Sequence, residues 1–191
     1  MKLGTIEKLC KSAKRILIVN DKARGIQWIS DGYCMYPLLK LPKLTAENIF
    51  AIFDIPEDKQ GKIYFDERED LPESLDALDT VDNETVVNPE SNAIYSSGRL
   101  LVPFKCAEGV MLIENKYLGV FDDDVTYYVR PLPSGRPYIV AKEGMFVSGI
   151  ILPYDAGYQL AEWLTEIGEG VGVMLDNRKS ASEFDPFDDE E

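Results

Sequence analysis

The sequence contains no histidine, and this absence excludes several kinds of chemistry. Without histidine there is no Ser–His or Cys–His nucleophile pair, no histidine general base and no histidine metal ligand. An enzyme made from the remaining residues would have to use carboxylates, lysine, tyrosine or a bound metal ion. No nucleophile and base can be paired in the sequence. We therefore expect a protein that is not an enzyme and that uses no cofactor.

Cysteine and long apolar runs are also scarce. Cys10, Cys34 and Cys106 lie far apart and lack the spacing of metal ligands, which favours reduced thiols over a disulfide framework. No apolar stretch approaches the ~20 residues that a helix needs to span a bilayer. Residues 1–15 lack the apolar core of a signal peptide. We expect a cytoplasmic protein that does not contact a membrane.

Positive charge is scarce overall and is concentrated near the N-terminus. The 191 residues carry a formal net charge of −14 at pH 7, yet residues 1–48 contain nine Lys and Arg against four Asp and Glu. Such asymmetry is typical of one basic surface on an acidic body. Because phosphate contacts supply most of the affinity for nucleic acid, only such a surface would let this chain bind it.

The basic surface is predicted on a helix over residues 5–15. Ile6, Leu9 and Ala13 recur at helical spacing and would face the core. The basic residues of this stretch form either a solvated face or a set of phosphate contacts. Our candidate DNA-binding residues are Lys8, Lys11, Lys14 and Arg15.

The rest of the N-terminal half alternates strands and helices. The sequence predicts a strand over 15–21 and two further strands joined at Asp31-Gly32, a dipeptide typical of hairpins. A second helix follows, with Thr45 as its N-cap and Pro56 as its end. A short strand over 61–67 completes this half.

From residue 93 onward β character dominates. The pattern predicts strands up to Glu114, a short helix from Asn115, and three strands that end at Pro153. A last helix is predicted to end at Gly168. Its apolar positions are expected to pack inward, and they are Leu160, Leu164 and Ile167, with Trp163 at the flank. The fold class that follows is α+β, with a mostly antiparallel sheet and few helices.

Two acidic stretches stand out from this pattern. Residues 66–92, the acidic segment, contain ten Asp and Glu and one base, Arg68, which predicts a long loop or insertion. Residues 182–191 are predicted to be a disordered acidic tail, so that residues 1–181 form a single domain.

Two carboxylate patterns raise the question of metal chemistry. Glu114 and Lys116 form a Glu-x-Lys pair at a strand end, as in metal-dependent nucleases, where the acid holds Mg²⁺. Those sites also need an upstream aspartate on an adjacent strand, and none is evident. Asp122, Asp123 and Asp124 are successive residues and are better explained as a solvated turn. We assign no metal site, and a metal-dependent nuclease remains a third functional alternative.

Residues 99–154 resemble the last half-domain of the bacterial DNA sliding clamp, the processivity subunit of the replicative polymerase. Asn115, Lys116, Tyr117 and Leu118 match the start of the helix that follows a strand in that family. The "IILP" of residues 150–153 matches the end of its last strand. "GRPYIVAKEG", residues 135–144, occupies the place of the central hairpin.

This resemblance implies a clamp-like domain of paired βαβββ units, with double-stranded DNA as the partner. Helices of that family line the ring bore with Lys and Arg, and the predicted basic helix fits this role. The chain is about half the length of a bacterial clamp protomer, so a ring would require a homo-oligomer. The resemblance therefore implies a non-enzymatic accessory in DNA replication or another DNA transaction. The size and acidity of the chain also resemble those of small phage or prophage proteins.

The acidic tail suggests a different interaction. It resembles the acidic aromatic tails with which single-stranded DNA-binding proteins recruit replication partners. The candidate partner-binding residues are Phe184, Asp185, Pro186 and Phe187. The alternative function is an acidic protein-binding module or DNA mimic that occupies a basic site on a host protein.

Overall fold

The computed structural model describes residues 2–82, 84–107, 109–132 and 136–182. Its contacts divide the chain into two units, residues 1–154 and residues 155–191. The predicted α+β class, with a large mostly antiparallel sheet and few helices, is confirmed. Within the described ranges, no helix is long and apolar enough to cross a membrane.

The first unit contains four helices and eleven strands in the residues described. The helices are α1 (Leu3–Ala13), α2 (Ala46–Ile52), α3 (Glu57–Gln60) and α4 (Asn115–Leu118). The N-terminal strands are β1 (Arg15–Asp21), β2 (Ile26–Ser30), β3 (Cys34–Leu38) and β4 (Tyr64–Arg68). The others are β5 (Thr85–Val87), β6 (Ile94–Ser96), β7 (Arg99–Cys106), β8 (Gly109–Glu114), β9 (Val125–Pro131), β10 (Pro137–Glu143) and β11 (Phe146–Ile151).

Eight of these strands form one sheet, and three form a second. The order in the large sheet is β4-β1-β2-β3-β11-β10-β9-β5, and the small sheet has the order β6-β7-β8. Every neighbouring pair is antiparallel except β1 and β4, which are parallel. The predicted hairpin at Asp31-Gly32 connects β2 to β3, and Gly32 has a φ of +100°, which favours glycine.

The strand order of the large sheet is symmetrical about its centre. On one side of the centre lie β1, β2 and β3, which follow α1 in the chain. On the other side lie β9, β10 and β11, which follow α4. The two last strands, β3 and β11, pair antiparallel, with Met35 opposite Ile150 and Cys34 opposite Ile151. The strand β8, which precedes α4, belongs instead to the small sheet.

Both faces of the large sheet are covered, because side chains alternate between two apolar clusters. On the first face, the sheet packs against α1, α2, α4 and the small sheet. Large side chains of this cluster include Ile6, Ile16, Tyr36, Ile49 and Phe104. On the second face, Trp28, Tyr138 and Val140 are buried together with Ala77 of the acidic segment.

The acidic segment is therefore part of the packed structure. β4 takes up its first residues, and β5 pairs with β9 at the far edge of the sheet. Between these strands, Leu71, Leu75 and Ala77 pack on the second face. Residues 69–84 contain no helix or strand in the part described.

The C-terminal helix, α5 (Gly157–Ser182), forms the second unit. The predicted end at Gly168 is wrong, because the helix continues for more than three further turns. Glycine ends a helix by adopting a positive φ, and Gly168, Gly170 and Gly172 do not adopt one. No proline occurs between Gly168 and Ser182 to interrupt the helix.

The predicted inward packing of α5 holds only in part. Leu160 and Leu164 are half-buried, whereas Ile167 is exposed, as is Trp163. Residues 183–191, and with them the candidate partner-binding residues of the tail, lie outside the described residues.

Gly149 of β11 allows an aromatic ring to pack against the sheet backbone. A Cβ atom at this position would lie 2.6 Å from Cζ of Phe121, which is shorter than any ordinary contact. We expect Gly149→Ala to lower the free energy of unfolding by roughly 1–3 kcal/mol, because Phe121 must move in a packed core. Urea unfolding followed by circular dichroism measures this change.

Gly61→Ala is the matched control. Gly61 has a φ of −63°, and an added Cβ atom would meet nothing within 4 Å. Its substitution should change the free energy of unfolding by no more than about 0.5 kcal/mol. Equal effects of the two substitutions would contradict the close approach of Phe121 to Gly149.

Candidate nucleic-acid interface

The four candidate DNA-binding residues lie at the C-terminal end of α1 and the start of β1. Lys8 and Lys11 are on α1, Lys14 is its C-cap, and Arg15 begins β1. Lys8, Lys14 and Arg15 are exposed, and Lys11 is half-buried, with its Nζ 2.7 Å from Oε1 of Glu7. Of the four, Lys11 and Lys14 line a common groove.

Two lysines from a distant part of the chain join this surface. Lys11 and Lys14 line a groove of about 290 Å³ together with Lys59 of α3 and Lys62. We call this the lysine groove. Its apolar lining consists of Ile55, Pro56 and Ile63. Sequence reasoning missed Lys59 and Lys62, although their three-residue spacing after Pro56 indicated a possible shared face.

Most lysines of this surface have no counter-charge. In the part of the chain that the structure describes, Lys8, Lys14, Lys59 and Lys62 form no ion pair. Asp54 is the acidic residue that lines the groove. Unpaired charges of one sign on a concave surface concentrate the field there, so the groove can attract anions despite the net charge of the chain.

An arginine–tyrosine pair lies beside the lysine groove. Arg15 is opposite Tyr64 in the parallel pairing of β1 and β4, and its Cζ is 5.4 Å from the ring centroid of Tyr64. The Tyr64 backbone N–H donates to the carbonyl of Lys14 at 2.9 Å, which ties the two elements together. On its other side, Arg15 approaches Gly32, where a Cβ atom would lie 2.9 Å from its Nη1.

A second arginine–tyrosine pair flanks the end of α1. A cleft of about 500 Å³ is lined by Ser12 of α1, Arg99 and Lys116, among others. The Arg99 guanidinium lies 5.2 Å from the ring centroid of Tyr154. Glu114 in the same cleft contacts both Arg99, at 3.4 Å, and Lys116, at 2.8 Å.

This geometry bears on the Glu-x-Lys pattern at Glu114. Its carboxylate is only 12% exposed and already lies between two cations, which reduces its capacity to bind Mg²⁺. Asp122, in the predicted turn, forms an ion pair with Lys2 at 3.4 Å. Among the residues that the structure describes, no group of three or more Cys, Asp or Glu is placed to hold a metal ion.

A buried polar cluster lies inside the first unit. Asp31 Oδ1 accepts the backbone N–H groups of Tyr33 and Cys34 at 3.0 Å. Asp31 Oδ2 and the hydroxyls of Tyr36 and Tyr117 are buried but do not meet hydrogen-bond geometry with any described residue. Burial raises the pKa of the Tyr117 hydroxyl, and the charge of Asp31 raises it further.

The thiols near this cluster are not reactive. Burial, with a smaller contribution from the charge of Asp31, raises the pKa of the Cys10 thiol to about 12. The same two causes raise the pKa of Cys34 well above its ordinary value. Because the thiolate is the nucleophile, these two cysteines serve as apolar core residues.

A buried ion cluster holds the acidic segment on the second face of the sheet. Arg130 is 1% exposed and donates through Nε and Nη2 to Glu84 Oε2, at 2.9 and 2.6 Å. Lys142, also buried, donates to the other oxygen of Glu84. Arg130 Nη1 and the Tyr138 hydroxyl both donate to the carbonyl of Asp76.

Other acidic side chains of the segment are also engaged. Asp79 accepts the backbone N–H of Val147 at 2.8 Å. At the exposed edge, Asp66 pairs with Arg68, and Glu69 pairs with Lys22. Glu69, Asp79 and Glu84 therefore tie the segment to other parts of the first unit.

Comparison of the chain with protein-family models, with curated proteins and with solved structures gives no match in any of the three. Functional inference consequently depends on the residues and their geometry.

The ion cluster predicts a pH-dependent contribution to stability. Burial alone would raise the pKa of Glu84, but the hydrogen bonds and charges of Lys142 and Arg130 lower it below its ordinary value of 4.5. Because the folded-state pKa lies below the unfolded one, this stabilisation is present above pH 4.5 and is lost as the pH falls through the folded-state pKa.

Glu84→Gln tests this contribution. At neutral pH we expect the free energy of unfolding to fall by about 3–5 kcal/mol, because two buried cations lose their counter-charge. The difference from the wild type should shrink in acid. The control is Glu73→Gln, at an exposed site in the same segment. This substitution should lower the free energy of unfolding by no more than about 0.5 kcal/mol. A difference between wild type and Glu84→Gln that is independent of pH would contradict the account.

Proposed function

We propose that this protein is a non-enzymatic DNA-binding accessory in replication or another DNA transaction. The observation that carries the proposal is the lysine groove, where Lys14, Lys59 and Lys62 form no ion pair with any described residue. Lysines that are not held in ion pairs can contact phosphates without first losing a partner, and binding releases the counterions of the nucleic acid. The groove joins two of the predicted residues, Lys11 and Lys14, with the two lysines that the fold adds.

The symmetry of the large sheet supports a clamp-like domain within this proposal. A clamp-like domain is built from paired βαβββ units, and α1-β1-β2-β3 and α4-β9-β10-β11 have the order of the helix and the three strands that follow it in such a unit. Lys8, Lys11 and Lys14 lie on α1 and its C-cap, and the family places basic residues on the equivalent helices. The placement of β8 in a separate sheet differs from a simple pair of such units.

Local contacts favour DNA binding over the two alternatives. A DNA mimic needs an open array of carboxylates, but Glu84 and Asp79 are tied to the second face of the sheet. A metal-dependent nuclease needs an available carboxylate, but Glu114 lies between Arg99 and Lys116. The lysine groove, by contrast, is open and is not occupied by other parts of the first unit.

DNA binding should weaken steeply with salt and should depend on the groove. We expect Lys14→Gln/Lys62→Gln to weaken binding of duplex DNA at every salt concentration. If each lysine contacts one phosphate, the slope of log K against log salt should become smaller by about 2. Fluorescence anisotropy with a labelled duplex, starting at low salt, measures both quantities.

The matched control is Lys22→Gln/Lys105→Gln. Both lysines are exposed, and the substitution changes the net charge by the same amount. For this control, the slope of log K against log salt should equal that of the wild type. Absence of salt-sensitive DNA binding by the intact protein, or equal loss in both double variants, would overturn the proposal.

A further inference from the structure

Exposed aromatic rings lie near the end of α1 that carries the unpaired lysines. Tyr64 is 54% exposed and Tyr33 is 56% exposed, although large aromatic side chains are usually mostly buried in a folded protein. We propose that this surface takes single-stranded DNA, with bases stacked on Tyr64 and Arg15 and phosphates on the lysine groove. This inference rests on the proposed function and specifies the form of DNA that the surface prefers.

The large sheet brings these residues to one end, where β1 and β4 begin. β1 and β4 are parallel, so Arg15 and Tyr64 begin neighbouring strands at the same end of the sheet. The turn between β2 and β3 reaches this end as well, because Gly32 contacts the Arg15 side chain. Tyr33 follows Gly32, and its carbonyl accepts the backbone N–H of Leu152 at 2.9 Å.

The lysine groove adjoins Arg15 and Tyr64 at this end of the sheet. Lys62 and Ile63, which line the groove, directly precede Tyr64 in the chain. Lys14, on the opposite wall, directly precedes Arg15 and is hydrogen-bonded to Tyr64 through the backbone. Because Ile63 and Phe65 pack on the first face, the ring of Tyr64 lies on the other side of β4, and a strand that contacts the lysines reaches it by passing around this end of the sheet.

Base stacking distinguishes single strands from duplexes. In a duplex the faces of the bases are covered by their neighbours, so only phosphates and groove edges are presented to Tyr64. In a single strand each base has a free face that can stack on tyrosine or on a guanidinium plane. Arg15 already lies over the Tyr64 ring and so extends the flat surface available to a base.

The other side of α1 offers a second set of the same groups. Ser12, in the last turn of α1, lines the cleft that also contains Arg99 and Lys116. Arg99 lies over the ring of Tyr154, which repeats the pairing of Arg15 with Tyr64. Two arginine–tyrosine pairs on either side of one basic helix end favour a ligand that extends over several nucleotides.

The test compares a labelled oligodeoxythymidine with a duplex of the same length, using the full chain and fluorescence anisotropy. We expect the wild type to bind the single strand more tightly. Tyr64→Leu, which keeps an apolar side chain but removes the ring, should weaken single-strand binding about tenfold and leave duplex binding unchanged. Tyr95→Leu, at a ring that is 74% exposed on β6, should change neither.

A second measurement avoids substitutions. A single strand that carries 2-aminopurine should lose fluorescence on binding to the wild-type protein, because stacking on an aromatic ring quenches this base. Equal binding of both DNA forms, no effect of Tyr64→Leu and no quenching would overturn the inference. Salt-sensitive binding of both forms in that case would leave the proposed function standing, whereas no binding of either form would overturn both.

Discussion

The antiparallel pairing of β3 with β11 is the interaction on which the rest of the structure depends. It joins the two halves of the chain at Cys34 and Met35, which lie opposite Ile151 and Ile150. Without this pairing the strands would form two smaller sheets instead of one. The joined sheet carries apolar residues on both faces, and these residues must be buried. Gly149 lies beside the pairing, where the absence of a side chain lets Phe121 approach the sheet. The pairing of β1 with β2, with Leu17 opposite Ser30, brings the turn at Tyr33 to the end of the sheet where β1 begins.

Charge is separated in space as well as in sequence. On the second face, Arg130 and Lys142 both pair with Glu84, so the acidic segment covers this face and is held there by specific ion pairs. Such buried pairs fix the arrangement of a segment more than they add stability, because desolvation offsets much of the attraction. At the end of α1, Lys11 pairs with Glu7, whereas Lys8 and Lys14 form no ion pair with any described residue. An acidic chain can thereby keep one surface that attracts phosphate.

Local sequence signals predicted many of the elements but not the way they come together. The sequence of residues 15–21 and the Asp31-Gly32 turn predicted β1 and the hairpin, because both depend on neighbouring residues. The lysine groove could not be predicted, since Lys59 and Lys62 reach Lys11 and Lys14 only after β4 pairs with β1. The role of Glu84 was hidden for the same reason, and the length of α5 was missed because glycine was assumed to end it.

The central claim is that nucleic acid binds at the C-terminal end of α1. Amide hydrogen exchange of the full chain, with and without a saturating single-stranded oligonucleotide, locates the contact without any substitution. The account predicts slower exchange over residues 11–15 and 59–64, which include the lysine groove and the Arg15–Tyr64 pair. Slower exchange confined to residues 69–87, on the second face and the far edge of the sheet, would contradict it.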